Sequence, residues 1–115
     1  MNERPHLDEE ALAELRDVME DEFDILIRTY INDSSERLEA LRHAMACGDQ
    51  DAFAKTAHSF KGSSMNIGAA RLGELCMRAE QAGKSCQLEQ AASLLPGLEA
   101  EFETVRAMME ESLLA

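Results

Sequence analysis

Residues 53–68 read Phe53-Ala54-Lys55-Thr56-Ala57-His58-Ser59-Phe60-Lys61-Gly62-Ser63-Ser64-Met65-Asn66-Ile67-Gly68. At about 100° per residue, Phe53, Ala57, Phe60 and Ser64 fall on one face, so the stretch predicts an amphipathic helix over Gln50–Asn66, broken at Gly68. His58 stands about 140° from the middle of that apolar stripe and is expected to point outward. Gly62 lies one turn beyond it on the same face, Lys55 lies close by, and Lys61 occupies the i+3 neighbour position. A glycine inside a helix costs about 0.5–1 kcal/mol relative to alanine. Carrying one beside an outward imidazole points to a place where another molecule comes close.

The rest of the chain extends the same pattern. Asp8 is a good N-cap for a short first helix that turns Leu12, Leu15 and Met19 inward. A second helix is expected over Phe23–Ala46, with a stripe of Phe23, Ile27, Tyr30, Ser34, Leu38, Leu41 and Met45. Gly48-Asp49 ends it and caps the next. A fourth helix is expected over Ala69–Ala82, with Leu72, Leu75, Cys76 and Ala79 inward and Gly83 as its C-terminal stop. The last is expected over Leu88–Leu113, with Ala91, Leu95, Leu98, Phe102, Val105 and Met109 on one face and a bend or break at Pro96. No segment alternates as a strand does. Short loops between amphipathic helices make neighbours antiparallel. The expected fold is therefore all-α: an up-down-up-down four-helix bundle, crossing at roughly 20°, with a short extra N-terminal helix.

At 115 residues the chain fits a single domain, 1–115, with residues 1–7 expected as a flexible start. It is 45% apolar and 30% charged, which is globular despite a formal net charge of −12. Twenty-three acidic against eleven basic residues argue against bulk nucleic-acid binding, which runs on positive charge. No apolar run approaches the ~20 residues that span a bilayer, and the polar opening lacks a signal-peptide pattern, so the expectation is a cytoplasmic protein without membrane contact. Cys47, Cys76 and Cys86 show no CxxC spacing and are expected as reduced thiols. Neither they nor His6 and His43 have metal-ligand spacing, so no metal site is expected.

Charge is unevenly spread. Between Ala54 and Lys84 five cations (Lys55, Lys61, Arg71, Arg78, Lys84) stand against two acids (Glu74, Glu80), while the remainder holds six cations and twenty-one acids. A positive island around one histidine suits a phosphoryl group or an acidic partner surface. Met65 and Met77 lie about 120° and 150° from their helices' apolar stripes, beside Ala70 and Gly73 expected outward, and sketch an adaptable docking patch next to His58. Lys55 belongs to the same expected surface.

The run from Ala57 to Leu72 resembles the signature of the histidine-containing phosphotransfer (HPt) domain, H-x-x-K-G-[SA]-[SA]-x-x-[IVL]-G-[AS]. Residues 72–84, LGELCMRAEQAGK, are similar to the family's L-x-x-L-C-x-x-x-E-x-A-G-[RK] continuation, and the C-terminal LEAEFETVRAMM to its last helix. The resemblance implies that His58 is phosphorylated through Nε2, that Lys61 neutralises phosphoryl oxygens, and that Gly62 leaves room for a partner's aspartate. It also implies a polar side chain on the fourth helix that orients the imidazole through Nδ1. Glu80 or Gln81 is nearest by pattern, and a helix-capping or surface pair is an equally good account of Glu80; Lys84 is a further supporting residue of the site. Ser63 lets helices approach and is a further candidate to reach the site.

The implied partners are receiver domains of a hybrid sensor kinase and of a response regulator, with the chain a monomer and not itself an enzyme. No cofactor is implied in this chain, since Mg²⁺ belongs to the receiver's acidic pocket. There is no phosphate-cradling glycine loop and no room for an ATP-binding domain, so self-phosphorylation is not expected. Two other readings stand beside this one: the phosphoacceptor domain of a chemotaxis-type kinase, and a helical adaptor that is never phosphorylated.

Overall fold

The computed structural model describes residues 5–114 and contains five helices and, among the described residues, no strand. They are α1 (Glu9–Met19), α2 (Glu22–Cys47), α3 (Gln50–Asn66), α4 (Ala70–Lys84) and α5 (Leu88–Leu114). Each boundary has a local cause. Asp8 accepts a hydrogen bond from the Ala11 amide at 3.0 Å, and Asp49 accepts one from Ala52 at 3.0 Å, so α1 and α3 both begin on carboxylate caps. Gly48 ends α2 at φ 69°, left-handed backbone that glycine enters without penalty.

α3 packs most extensively on α4, α4 packs on α5, α2 on both α3 and α5, and α1 on α2. The expected stripes form one contiguous core through Phe23, Ile27, Leu41, Phe53, Phe60, Leu72, Leu98, Phe102, Val105 and Met109. Phe60 and Phe102 meet edge to face at 6.3 Å, joining α3 to α5. Ala44 is buried and Met45 only partly so, a shift of one position at the end of α2. α5 runs unbroken through Pro96, so of the bend or break expected there the break does not occur. Pro96 lies on an exposed face, where a missing hydrogen bond leaves a carbonyl to water rather than to the core.

Two expectations are corrected here. Gly83 does not stop α4; it is a buried helical residue where α4 presses on α3. A Cβ there would stand 3.2 Å from both the Ala54 Cβ and the Phe53 Cδ1. The chain instead turns at Cys86, with φ 58°. Of the stretch 1–7 expected as a loose start, residues 1–4 lie outside the described residues, while its inner end is packed. Leu7 is buried in the core, His6 Nδ1 lies 2.7 Å from buried Glu101, and the Asp8 amide donates to the Gly68 carbonyl at 2.9 Å.

Candidate functional site

The site lies on the α3–α4 contact. His58 projects from the face of α3 opposite Phe53, Ala57 and Phe60, with 65% of its side chain exposed. The small residues Ala54, Ala57, Ala79 and Gly83 let α3 and α4 approach closely. That closeness brings Glu80 of α4 beneath the imidazole although only 6% of its side chain is exposed.

Glu80 is the hub. Its Oε2 lies 2.9 Å from His58 Nδ1 and 3.0 Å from Lys84 Nζ, and its Oε1 accepts from Lys61 Nζ at 2.9 Å. A buried carboxylate without partners would protonate. Burial does push the Glu80 carboxyl up, but the hydrogen bonds from Lys61, Lys84 and His58 outweigh it and hold the carboxyl down at about 2. It is therefore an anion throughout the neutral range, and a carboxylate only accepts. The contact fixes the proton on Nδ1 and leaves the Nε2 lone pair free, on the exposed side of the ring.

Gly62 is exposed, and a Cβ added there would meet nothing within 4 Å. Nothing in the fold requires a glycine at this position. Lys61 is partly buried and Lys84 largely exposed, so the two cations approach Glu80 from different depths.

Other expected site residues are placed differently. Gln81 is exposed on α4, and it is Glu80 that contacts the ring. The Ser63 hydroxyl donates to the Phe60 carbonyl at 3.1 Å, so it is used within its own helix and not on the imidazole. Lys55 is exposed and paired with Asp51 at 3.0 Å. Met65 and Met77 are exposed, as expected, at 40% and 38%. Ala70 is half-buried, while Gly73, expected outward, is buried. A Cβ at Gly73 would stand 2.8 Å from the Met65 sulfur, so Met65 lies across the glycine and covers it. Within the positive island Lys61 and Lys84 meet Glu80 and Arg78 meets Glu74 at 3.7 Å, while Arg71 reaches outside it to His6 Nε2 at 3.3 Å.

Two features went unread in the sequence. Arg37 of α2 donates to Ser59 Oγ at 3.2 Å, bringing a third helix and a further cation beside the site. Leu15 and Met19, expected as interior residues, are partly buried and line a groove with Leu26, Tyr30 and Ile67 along α3. Neither has a signal within one helix, because each depends on where α1 and α2 lie against α3. Among the described residues no group of three or more histidine, cysteine or acidic side chains is placed to hold a metal ion.

The chain is similar to known proteins in sequence and in fold. A protein-family model described as the Hpt domain matches residues 25–108. The chain is similar to the crystal structure of histidine-containing phosphotransfer protein B (HptB) from Pseudomonas aeruginosa PAO1, with 42% sequence identity, a TM-score of 0.90 and 96% of each chain covered. No curated protein matches its sequence significantly.

Proposed function

The chain belongs to the Hpt domain family, a family of histidine phosphotransfer intermediates in phosphorelays, and we propose that His58 is the residue that carries its phosphoryl group. One observation carries this assignment: the 2.9 Å contact from Nδ1 to an ionised, buried Glu80, which engages Nδ1 and turns Nε2 outward as the exposed nucleophile.

In this reading a receiver domain's aspartyl phosphate approaches over Gly62. The Nε2 lone pair attacks phosphorus, the acyl oxygen leaves as the receiver's aspartate carboxylate, and a second receiver's aspartate later reverses the step. Phosphoryl transfer depends chiefly on alignment and charge neutralisation. Alignment comes from Glu80 and from the rigid α3–α4 contact. Neutralisation comes from Lys61, whose ammonium sits one turn from His58 and swings from Glu80 Oε1 toward the phosphoryl oxygens. Mg²⁺ is supplied by the receiver's acidic pocket. The exposed Met65 and Met77 flank the nucleophile as apolar docking contacts, with Ala70 and the Met65-covered Gly73 beneath them, and Lys55 at the rim meets the receiver's acidic surface.

The packing order supports an antiparallel four-helix arrangement of α2–α5, with α1 across one end. The protein acts as a monomer in the cytoplasm, between the receiver of a hybrid sensor kinase and that of a response regulator. Among the described residues no helix is long and apolar enough to cross a membrane.

The test is incubation with labelled phospho-receiver domains. Label should move to the wild-type chain with the acid-labile, base-stable behaviour of phosphohistidine, and should not move to His58→Gln. Equal labelling of the two would overturn the assignment.

A further inference from the structure

Among the described residues around the site, Arg37 is a cation without a carboxylate. Its neighbours each hold one: Lys55 takes Asp51, Lys61 and Lys84 share Glu80, and Arg78 takes Glu74. Arg37 stays unpaired although acidic residues outnumber basic ones twenty-three to eleven. An anion is close in sequence. Asp33 lies four residues before it, the spacing at which Arg28 of the same helix takes Asp24 at 2.9 Å. Arg37 instead crosses to α3, where its Nε donates to Ser59 Oγ at 3.2 Å and its two Nη atoms meet no acceptor among the described residues. A half-buried guanidinium that forgoes a helical ion pair for one neutral hydroxyl loses stabilisation within the fold, and its missing anion is to be sought outside the chain.

We propose that Arg37 is a specificity-determining residue: its free Nη fork pairs with a carboxylate of the docking partner and selects which protein exchanges a phosphoryl group with His58. The proposal rests on His58 being the phosphoryl carrier. Ser59 follows His58 directly and stands three residues before Gly62, so the tethered guanidinium borders the open turn over which a partner approaches. The two edges of that approach differ in charge. On the α4 edge Lys61 and Lys84 share Glu80, so part of their charge is neutralised within the fold. On the α2 edge the charge of Arg37 is unshared. A chain with a formal net charge of −12 repels an acidic partner over most of its surface. An unshared cation beside the nucleophile therefore fixes where such a partner's carboxylate lands, and with it the partner's orientation over Gly62. A guanidinium suits this better than an ammonium, because its fork holds both oxygens of a carboxylate and so fixes direction as well as distance. Lys55, exposed and already engaged by Asp51, adds charge nearby without that geometry.

The test uses the whole protein and labelled phospho-receiver domains. Single-turnover transfer is measured against receiver concentration at low and high ionic strength, with labelling by phosphoramidate as the receiver-free control. Arg37→Gln should raise the half-saturating receiver concentration by about 10-fold and flatten its salt dependence, with the maximal transfer rate and phosphoramidate labelling unchanged. Arg37→Lys, which keeps the charge and loses the fork, should recover the salt dependence and only part of the affinity. Where Arg37→Gln does not fold, Ser59→Ala takes its place: without the tether the guanidinium turns to Asp33, and half-saturation should rise by about 3-fold or more. Half-saturation equal to wild type in either folded variant overturns the proposal. So does a loss confined to the maximal rate or shared by phosphoramidate labelling, which would place Arg37 in the chemistry of His58 rather than in recognition. A wild type that takes no label from a phospho-receiver overturns both the proposal and the reading beneath it, and so is told apart from a failure of Arg37 alone.

Discussion

At the scale of single residues, the proposed chemistry and the fold rest on different side chains. His58 is largely exposed and contributes little to the core, so His58→Gln should abolish phosphoryl acceptance while changing the melting temperature little, as read by circular dichroism. Lys61→Ala removes a partly buried point charge, so transfer from a phospho-receiver should slow by about 10-fold or more while receiver affinity stays similar, measured by rapid-quench labelling and titration calorimetry. An unchanged rate would return Lys61 to a purely structural role on Glu80. Gly62 gives the sharpest contrast between stability and function. Gly62→Gln should leave the melting temperature level or raised, because the position is open. Transfer should nevertheless fall by about 100-fold, the scale of loss expected when an in-line approach is displaced by about 1 Å.

At the scale of helices, two glycines with the same propensity answer differently to one substitution. Gly62→Ala should raise stability by up to about 1 kcal/mol, since nothing opposes alanine's better helix propensity. Gly83→Ala should lower it by about 1 kcal/mol or more, because its Cβ would press on the Ala54 backbone and on a buried phenylalanine, neither of which can rotate away. Denaturant titrations of the two variants check both signs. The sequence shows which residues are glycine but not which of them another helix approaches, and so Gly83, near a helix end, read as a stop. α1 and α3 were legible because a capping carboxylate acts within its own first turn, and the core stripes were legible because 3.6-residue periodicity is local. The same locality put His58, Lys61 and Gly62 on one outward face. Glu80 was legible only as a candidate, since its burial and its three partners depend on how closely α4 lies on α3. Gly73 was misread for the same reason: Met65 comes from the other helix to cover it.

At the scale of the whole molecule, the buried carboxylate ties stability to pH. The Glu80 carboxyl sits at about 2 in the folded chain against an ordinary 4.5, so the folded state binds this proton more weakly than the unfolded state. Its contribution is fully present above pH 4.5 and is lost as the pH falls from there toward about 2. Glu80→Gln leaves Lys61 and Lys84 without their anion, so it should melt below wild type at neutral pH, and the gap should close on acidification through that window. A gap that stays constant with pH would mean that the carboxylate's charge does not stabilise the fold.

In the proposed mechanism one exposed nitrogen, His58 Nε2, takes the phosphoryl group because Glu80 occupies Nδ1. The most direct measurement is a ¹⁵N- and ³¹P-detected NMR spectrum of the ring-labelled protein after phosphorylation by a phospho-receiver domain. The expected result is a single phosphorus coupled to His58 Nε2, with Nδ1 still bearing its proton. Phosphorus coupled to Nδ1, or carried by His6, His43 or a carboxylate, would contradict it.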